Sequence, residues 1–106
     1  MKNCVLRIVI DTENEEIFEE IKKQFSQLPY TENFSFSPAI EHERYAGYSQ
    51  FSSTVTIAED HIYDVLDRIS THWMTDDEDG DIEAETDWYE GKLFHPHLYY
   101  ILFQTL

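Results

Sequence analysis

The spacing of apolar residues changes repeatedly along this chain, and the order of those changes restricts the fold more than any other feature. Cys4 to Ile10 is a Val- and Ile-rich run broken only by Arg7, which reads as a central β-strand. Thr12 followed by Glu15 has the form of a capping box, and Ile17, Phe18, Ile21, Phe25 and Leu28 then recur at helical spacing until Pro29. A helix over 13–28 is expected. Residues 34–42 alternate weakly around Pro38 and residues 48–57 alternate more cleanly, with Gly47 between them as the turn of a hairpin. Ile62, Val65, Leu66, Ile69 and Trp73 share one helical face behind the acid-favouring start Glu59-Asp60, which predicts a second helix over 59–73.

Beyond an acidic turn around Gly80, residues 81–89 alternate strictly, and a hairpin near Gly91 leads to a last apolar strand over 98–103. The expected order is β-α-β-β-α-β-β. This is the split β-α-β pattern of a ferredoxin-like two-layer sandwich with one added strand: an α+β fold whose antiparallel sheet carries two helices on one face. At 106 residues the chain is expected to form a single domain, because two halves of it would each be too short to bury a core.

Charge narrows the function classes. Twenty-two acidic residues against seven basic ones give a net charge of −15. A field of that sign repels phosphate backbones and anionic lipid and attracts basic proteins, so neither nucleic acid nor a membrane is an expected direct partner. The single cysteine, Cys4, has no internal disulfide partner, and no basic-then-apolar leader opens the sequence. Cytoplasmic location is the resulting expectation. Cys4, inside the first apolar strand, is expected to pack as a small hydrophobe.

The acids concentrate between Asp76 and Asp87, where eight of twelve residues are acidic. Asp76, Asp77, Glu78 and Asp79 cluster before Gly80, whereas Asp81, Glu83, Glu85 and Asp87 alternate with Ile82, Ala84, Thr86 and Trp88. On a strand the second set lines one face at intervals of roughly 6.6 Å. That spacing is close to the interval between successive phosphates of a nucleic-acid strand, about 6 to 7 Å along a twisted path. The ladder can therefore imitate a phosphate backbone toward a groove built for DNA or RNA. Trp88, which shares the parity of Ile82 and Ala84, is expected on the core side.

An exposed strand that carries charges to solvate one face and to discourage edge pairing explains the run equally well, and the other readings are weaker. An EF-hand-like loop begun at Thr75 would put Asp77, Asp79 and Gly80 in register, but its first and twelfth positions are Thr75 and Thr86 instead of Asp and Glu. His95 and His97, flanking Pro96, have a spacing that can hold a metal, with His42 as a distant third ligand, yet turn and surface histidines explain them as well. No cofactor motif and no nucleophile elbow is present in the sequence. Tyr45, Tyr48 and Tyr89 lie outside the periodic core and suit an interface that is apolar with a polar handle.

The leading expectation is a non-catalytic inhibitor that occupies a basic nuclease or nucleic-acid-binding protein, as an immunity protein or a phage-type nucleic-acid mimic does. Its contact surface would comprise Asp76 to Asp79, Asp81, Glu83, Glu85, Asp87, Tyr89, Tyr45 and Tyr48. A structural or regulatory interaction module, homodimeric in one form, is the alternative, followed by a small metal-dependent enzyme built on His95 and His97.

Overall fold

The computed structural model describes residues 1–87 and 91–106. Its elements in chain order are β1 (Lys2–Ile10), α1 (Glu15–Ser26), β2 (Thr31–Phe36), β3 (Ile40–Glu41), β4 (Ser49–Ile57), a single 3-10 turn (Glu59–His61), α2 (Ile62–Ile69), β5 (Trp73–Glu78), β6 (Asp81–Thr86) and β7 (Leu98–Thr105). All strand pairs are antiparallel, in the order β2-β4-β1-β7-β6-β5, and β3 pairs with β4 beyond the end of β2.

The α+β class and the antiparallel sheet with two helices agree with the expectation. The strand count and order do not. Among the described residues seven strands stand in place of five, and the strand beside β1 is β7, the last of them, instead of the one that follows α2. Chain order explains the change: β5, β6 and β7 form a meander after α2, and its final strand is the one that reaches β1.

Side-chain parity divides the sheet into two unlike faces. Cys4, Leu6, Ile8 and Ile10 of β1 point to the same side as Phe51, Val55 and Ile57 of β4 and Ile101 and Phe103 of β7. Ile21 and Phe25 of α1 and Ile62, Val65, Leu66 and Ile69 of α2 join them in one buried cluster, so both helices cover this face. Burial of these side chains, each stabilising by about 1.5–3 kcal/mol, dominates the fold. Phe25 meets Phe94 edge-on at 5.0 Å and, at 6.3 and 6.4 Å, the stacked pair Phe34 and Phe36 of β2.

Several boundaries differ from the sequence reading for local reasons. Asn14, not Thr12, caps α1: its Oδ1 accepts the Glu16 N–H at 2.8 Å, while Thr12 Oγ1 accepts the Asn14 N–H. The helix therefore begins at Glu15 and ends at Ser26. Helix α2 stops at Ile69, where Ser70 turns extended, and Trp73 opens β5. Trp73 still lies against that helix, because its Nε1–H donates to the Leu66 carbonyl at 2.8 Å. Its helical spacing from Ile69 reflected a shared neighbour and not a shared helix.

The largest correction concerns the acidic segment. Residues expected as a turn are an edge strand, and the turn itself is only Asp79 and Gly80, both at positive φ (54° and 87°). An Asp-Gly pair with both residues left-handed is the two-residue hairpin that matches strand twist. A regular hairpin, rather than a twelve-residue loop closing on an ion, is what this segment forms. The expected hairpin around Gly91 is present in that β6 and β7 pair antiparallel, and Leu93 between them is tied to the body by a bridge to Ser70. Gly91 is required there, since a Cβ would come within 2.5 Å of the Asp87 carbonyl oxygen.

Candidate functional site

The face turned away from the helices carries the unusual chemistry. Val5, Arg7 and Val9 of β1 alternate with the core residues and point outward, as do Gln50, Ser52 and Thr54 of β4 and Tyr100, Leu102 and Gln104 of β7. On the far side of β7 the same face becomes acidic. Register pairs Asp76 with Glu83 and Glu78 with Asp81 across the β5–β6 hairpin, and Met74 with Glu85. Asp76, Glu78, Asp81, Glu83 and Glu85 therefore form two facing rows of carboxylates and not one ladder.

Like charges placed directly opposite on neighbouring strands are destabilising. Little in the fold offsets them. Among the described residues the one ion pair reaching this set is Lys2 to Asp81, at 3.9 Å. Together with Asp79, Ile82, Gln104 and Thr105, the carboxylates of Asp76, Glu78, Asp81 and Glu83 line a shallow depression of about 320 Å³.

The remaining expected site residues distribute as follows. Asp77 lies on the opposite face of β5, beside Ile82, and accepts a 2.7 Å hydrogen bond from the Tyr63 hydroxyl of α2. That bond raises the Tyr63 pKa above its ordinary value, with minor help from burial and the Asp77 charge. Asp79 occupies the hairpin turn. Asp87 lies just past the end of β6, its N–H donating to the His72 carbonyl at 3.3 Å. Tyr89 lies outside the described residues, as does Trp88.

Tyr45 and Tyr48 are at the other end of the open face, in the β3–β4 connection. Their rings meet each other at 5.4 Å and both meet Tyr99 edge-on, at 6.0 and 5.1 Å, while His42 stacks on Tyr45 at 4.9 Å. A register shift between Val9 and Ile10 inserts Tyr99 into β7 as an extra residue, which frees it to turn toward this cluster. The aromatic cluster and the acidic hairpin are joined by Tyr100, whose hydroxyl donates to Glu85 Oε2 at 2.6 Å. Burial, then the Glu85 hydrogen bond and the nearby charges of Glu85 and Glu83, push the Tyr100 pKa up to about 12.

Between them lies a hollow of about 670 Å³, lined in part by Val9, Glu43, Tyr45, Met74, Glu85, Tyr99 and Tyr100. Tyr99, Tyr100, Met74 and Val9 were not among the residues singled out from sequence. The adjacent pair Tyr99-Tyr100 was the available signal, since two consecutive aromatics in a strand cannot both face one core.

The histidines are engaged elsewhere. His95 is buried, its Nδ1 accepting the His97 N–H at 3.1 Å and its Nε2 lying 3.5 Å from Glu20, and His97 Nδ1 pairs with Asp11 at 2.7 Å. His42 Nδ1 accepts the N–H groups of Arg44 and Tyr45. Among the described residues no group of three or more His, Cys, Asp or Glu side chains is arranged to hold a metal ion. Cys4 is fully buried, and desolvation pushes its thiol up to about 11, partly countered by Lys2. No helix among the described residues is long and apolar enough to cross a membrane.

No family model, curated protein or solved structure matches the chain.

Proposed function

We propose that this protein is a non-catalytic inhibitor that binds a basic protein, a nuclease or another nucleic-acid-binding protein, through the uncovered face of its sheet. The observation that carries this reading is the pair of facing carboxylate rows on β5 and β6. Solubility needs no such register, because acids spread over loops and helices give the same net charge without opposing one another at close range. A regular array of anions on a paired strand suits a groove evolved for phosphates.

The order β2-β4-β1 with α1 and α2 crossing one face follows the split β-α-β pattern, and the β5–β6 hairpin is the addition that departs from it. In this account the acidic array sits on the added element, not on the shared core.

The test is an affinity capture from host lysate at low salt, using wild-type protein and an Asp76→Asn/Asp81→Asn/Glu83→Gln variant side by side, with salt-gradient elution. The wild type retains a basic nucleic-acid-binding protein released only at high salt, and the variant loses it. Equal retention by both proteins would sink the reading and favour an interaction module whose contacts do not depend on these charges.

A further inference from the structure

The hollow beside Glu85 has a composition that specifies more than a general attraction to basic surfaces. Three tyrosines line it, Tyr45, Tyr99 and Tyr100, with Met74 and Val9 as apolar wall and the carboxylates of Glu43 and Glu85 at its margin. Aromatic rings and carboxylates around one concavity suit a cation with a flat, weakly hydrated head and an aliphatic stem. Glu85 is half-buried, and Tyr100 donates to its Oε2. That bond fixes the carboxylate while its Oε1 remains without a protein donor among the described residues.

Among the described residues Arg44, the one Lys or Arg side chain lining this hollow, forms no ion pair with Glu43 or Glu85. Both carboxylates are left without an ion-pair partner among the described residues. We propose that this hollow receives an arginine side chain projecting from the basic partner, with the guanidinium on Glu85 and against the tyrosine rings and its stem on Met74 and Val9. Arginine is favoured over lysine because a planar fork can stack on an aromatic ring and bond a carboxylate edge at the same time.

The inference rests on the reading of the protein as a binder of basic proteins, and it adds the anchor that would orient such a partner on the acidic hairpin. Buried arginines seated among aromatic residues are frequent centres of binding energy in protein interfaces.

The direct test needs no partner. N-acetyl-arginine amide is titrated into the isotope-labelled protein and followed by amide chemical shifts, with the citrulline analogue as a neutral isostere and the lysine analogue as a compact cation. Saturable shifts centred on Val9, Glu85, Tyr99 and Tyr100 are expected with the arginine compound at millimolar concentrations, with weaker response to lysine and none to citrulline. Glu85→Gln and, separately, Tyr45→Leu should each weaken binding by about fivefold or more. Arg44→Ala should strengthen it by removing a like charge. Shifts spread over Asp76 to Glu83 without saturation, an equal response to citrulline or lysine, or no response at all would overturn the assignment.

The two readings fail separately. Arginine binding in the hollow with no basic protein captured from lysate would retain the receptor and reject the inhibitor. Capture that survives Glu85→Gln and Tyr45→Leu but is lost on neutralising Asp76, Asp81 and Glu83 would retain the inhibitor and reject the arginine anchor.

Discussion

The two faces of β6 share six residues and obey opposite rules. Ile82, Ala84 and Thr86 point into the core and are buried, and Thr86 Oγ1 even accepts the Ile101 N–H at 3.1 Å in place of a purely apolar contact. Asp81, Glu83 and Glu85 point the other way, toward the acids and methionine of β5 and away from both helices. The inward face is explained completely by folding. The outward face works against it, and the difference separates residues retained for stability from residues that require an external explanation.

Substitutions on the two faces should accordingly move stability in opposite directions. The largest effect is expected on the inward side. Phe103→Ala removes a fully buried ring from the strand that joins β1 to β6, and should cost about 3–5 kcal/mol in urea unfolding. A loss below 1 kcal/mol would mean that the helix-covered face is not the principal core.

On the outward side, Asp76→Asn combined with Glu78→Gln removes both facing carboxylate pairs while leaving Lys2–Asp81 intact. Stability should rise by about 0.5–2 kcal/mol at low ionic strength and by less at high salt. A destabilised variant would show that these rows contribute to the fold, and the contrast between the faces would then collapse.

Tyr100 bridges the two regimes, a β7 residue on the open face bonded to a ladder acid. Tyr100→Phe should lose about 0.5–1.5 kcal/mol near neutral pH. Its raised pKa also gives a signature: the folded state holds the phenolic proton more tightly than the unfolded chain. The associated stability is therefore complete below pH 10 and is lost as pH rises from 10 through about 12. In the phenylalanine variant that part of the alkaline decline should vanish.

The smallest effect concerns Cys4, where the folded thiol titrates near 11 against an ordinary value of 9.0. Its stabilising contribution is present below pH 9 and falls between pH 9 and 11. At pH 8 iodoacetamide should label Cys4 only in unfolded molecules, so a labelling rate that tracks the unfolding equilibrium is expected. Rapid labelling of the native protein would place the thiol at the surface.

How far each face could be read from sequence follows from the same contrast. Burial leaves period-two and period-3.6 marks, and Cys4 to Ile10, Ser49 to Ile57 and the α2 face Ile62, Val65, Leu66 and Ile69 were legible on that ground. Strand β5 was not, because an edge strand with charges on both sides has no apolar alternation: only Trp73 of Trp-Met-Thr-Asp-Asp-Glu is even half-buried. The Asp79-Gly80 pair was the surviving local mark, and it fixes the register that sets Asp76 against Glu83. Tyr99 and Tyr100 were absorbed into an apolar run. The register shift that turns Tyr99 toward Tyr45 and Tyr48 depends on pairing with β1, which local spacing does not encode.

Under the proposed function, the outward carboxylates occupy the surface on which a basic protein holds nucleic acid. Displacement checks this: a fluorescent duplex or single strand is bound to the captured basic protein, and wild-type protein or the Asp76→Asn/Asp81→Asn/Glu83→Gln variant is added. Wild-type protein is expected to release the nucleic acid stoichiometrically, and the variant far more weakly and in a salt-sensitive way. A ternary complex of partner, nucleic acid and wild-type protein would contradict it.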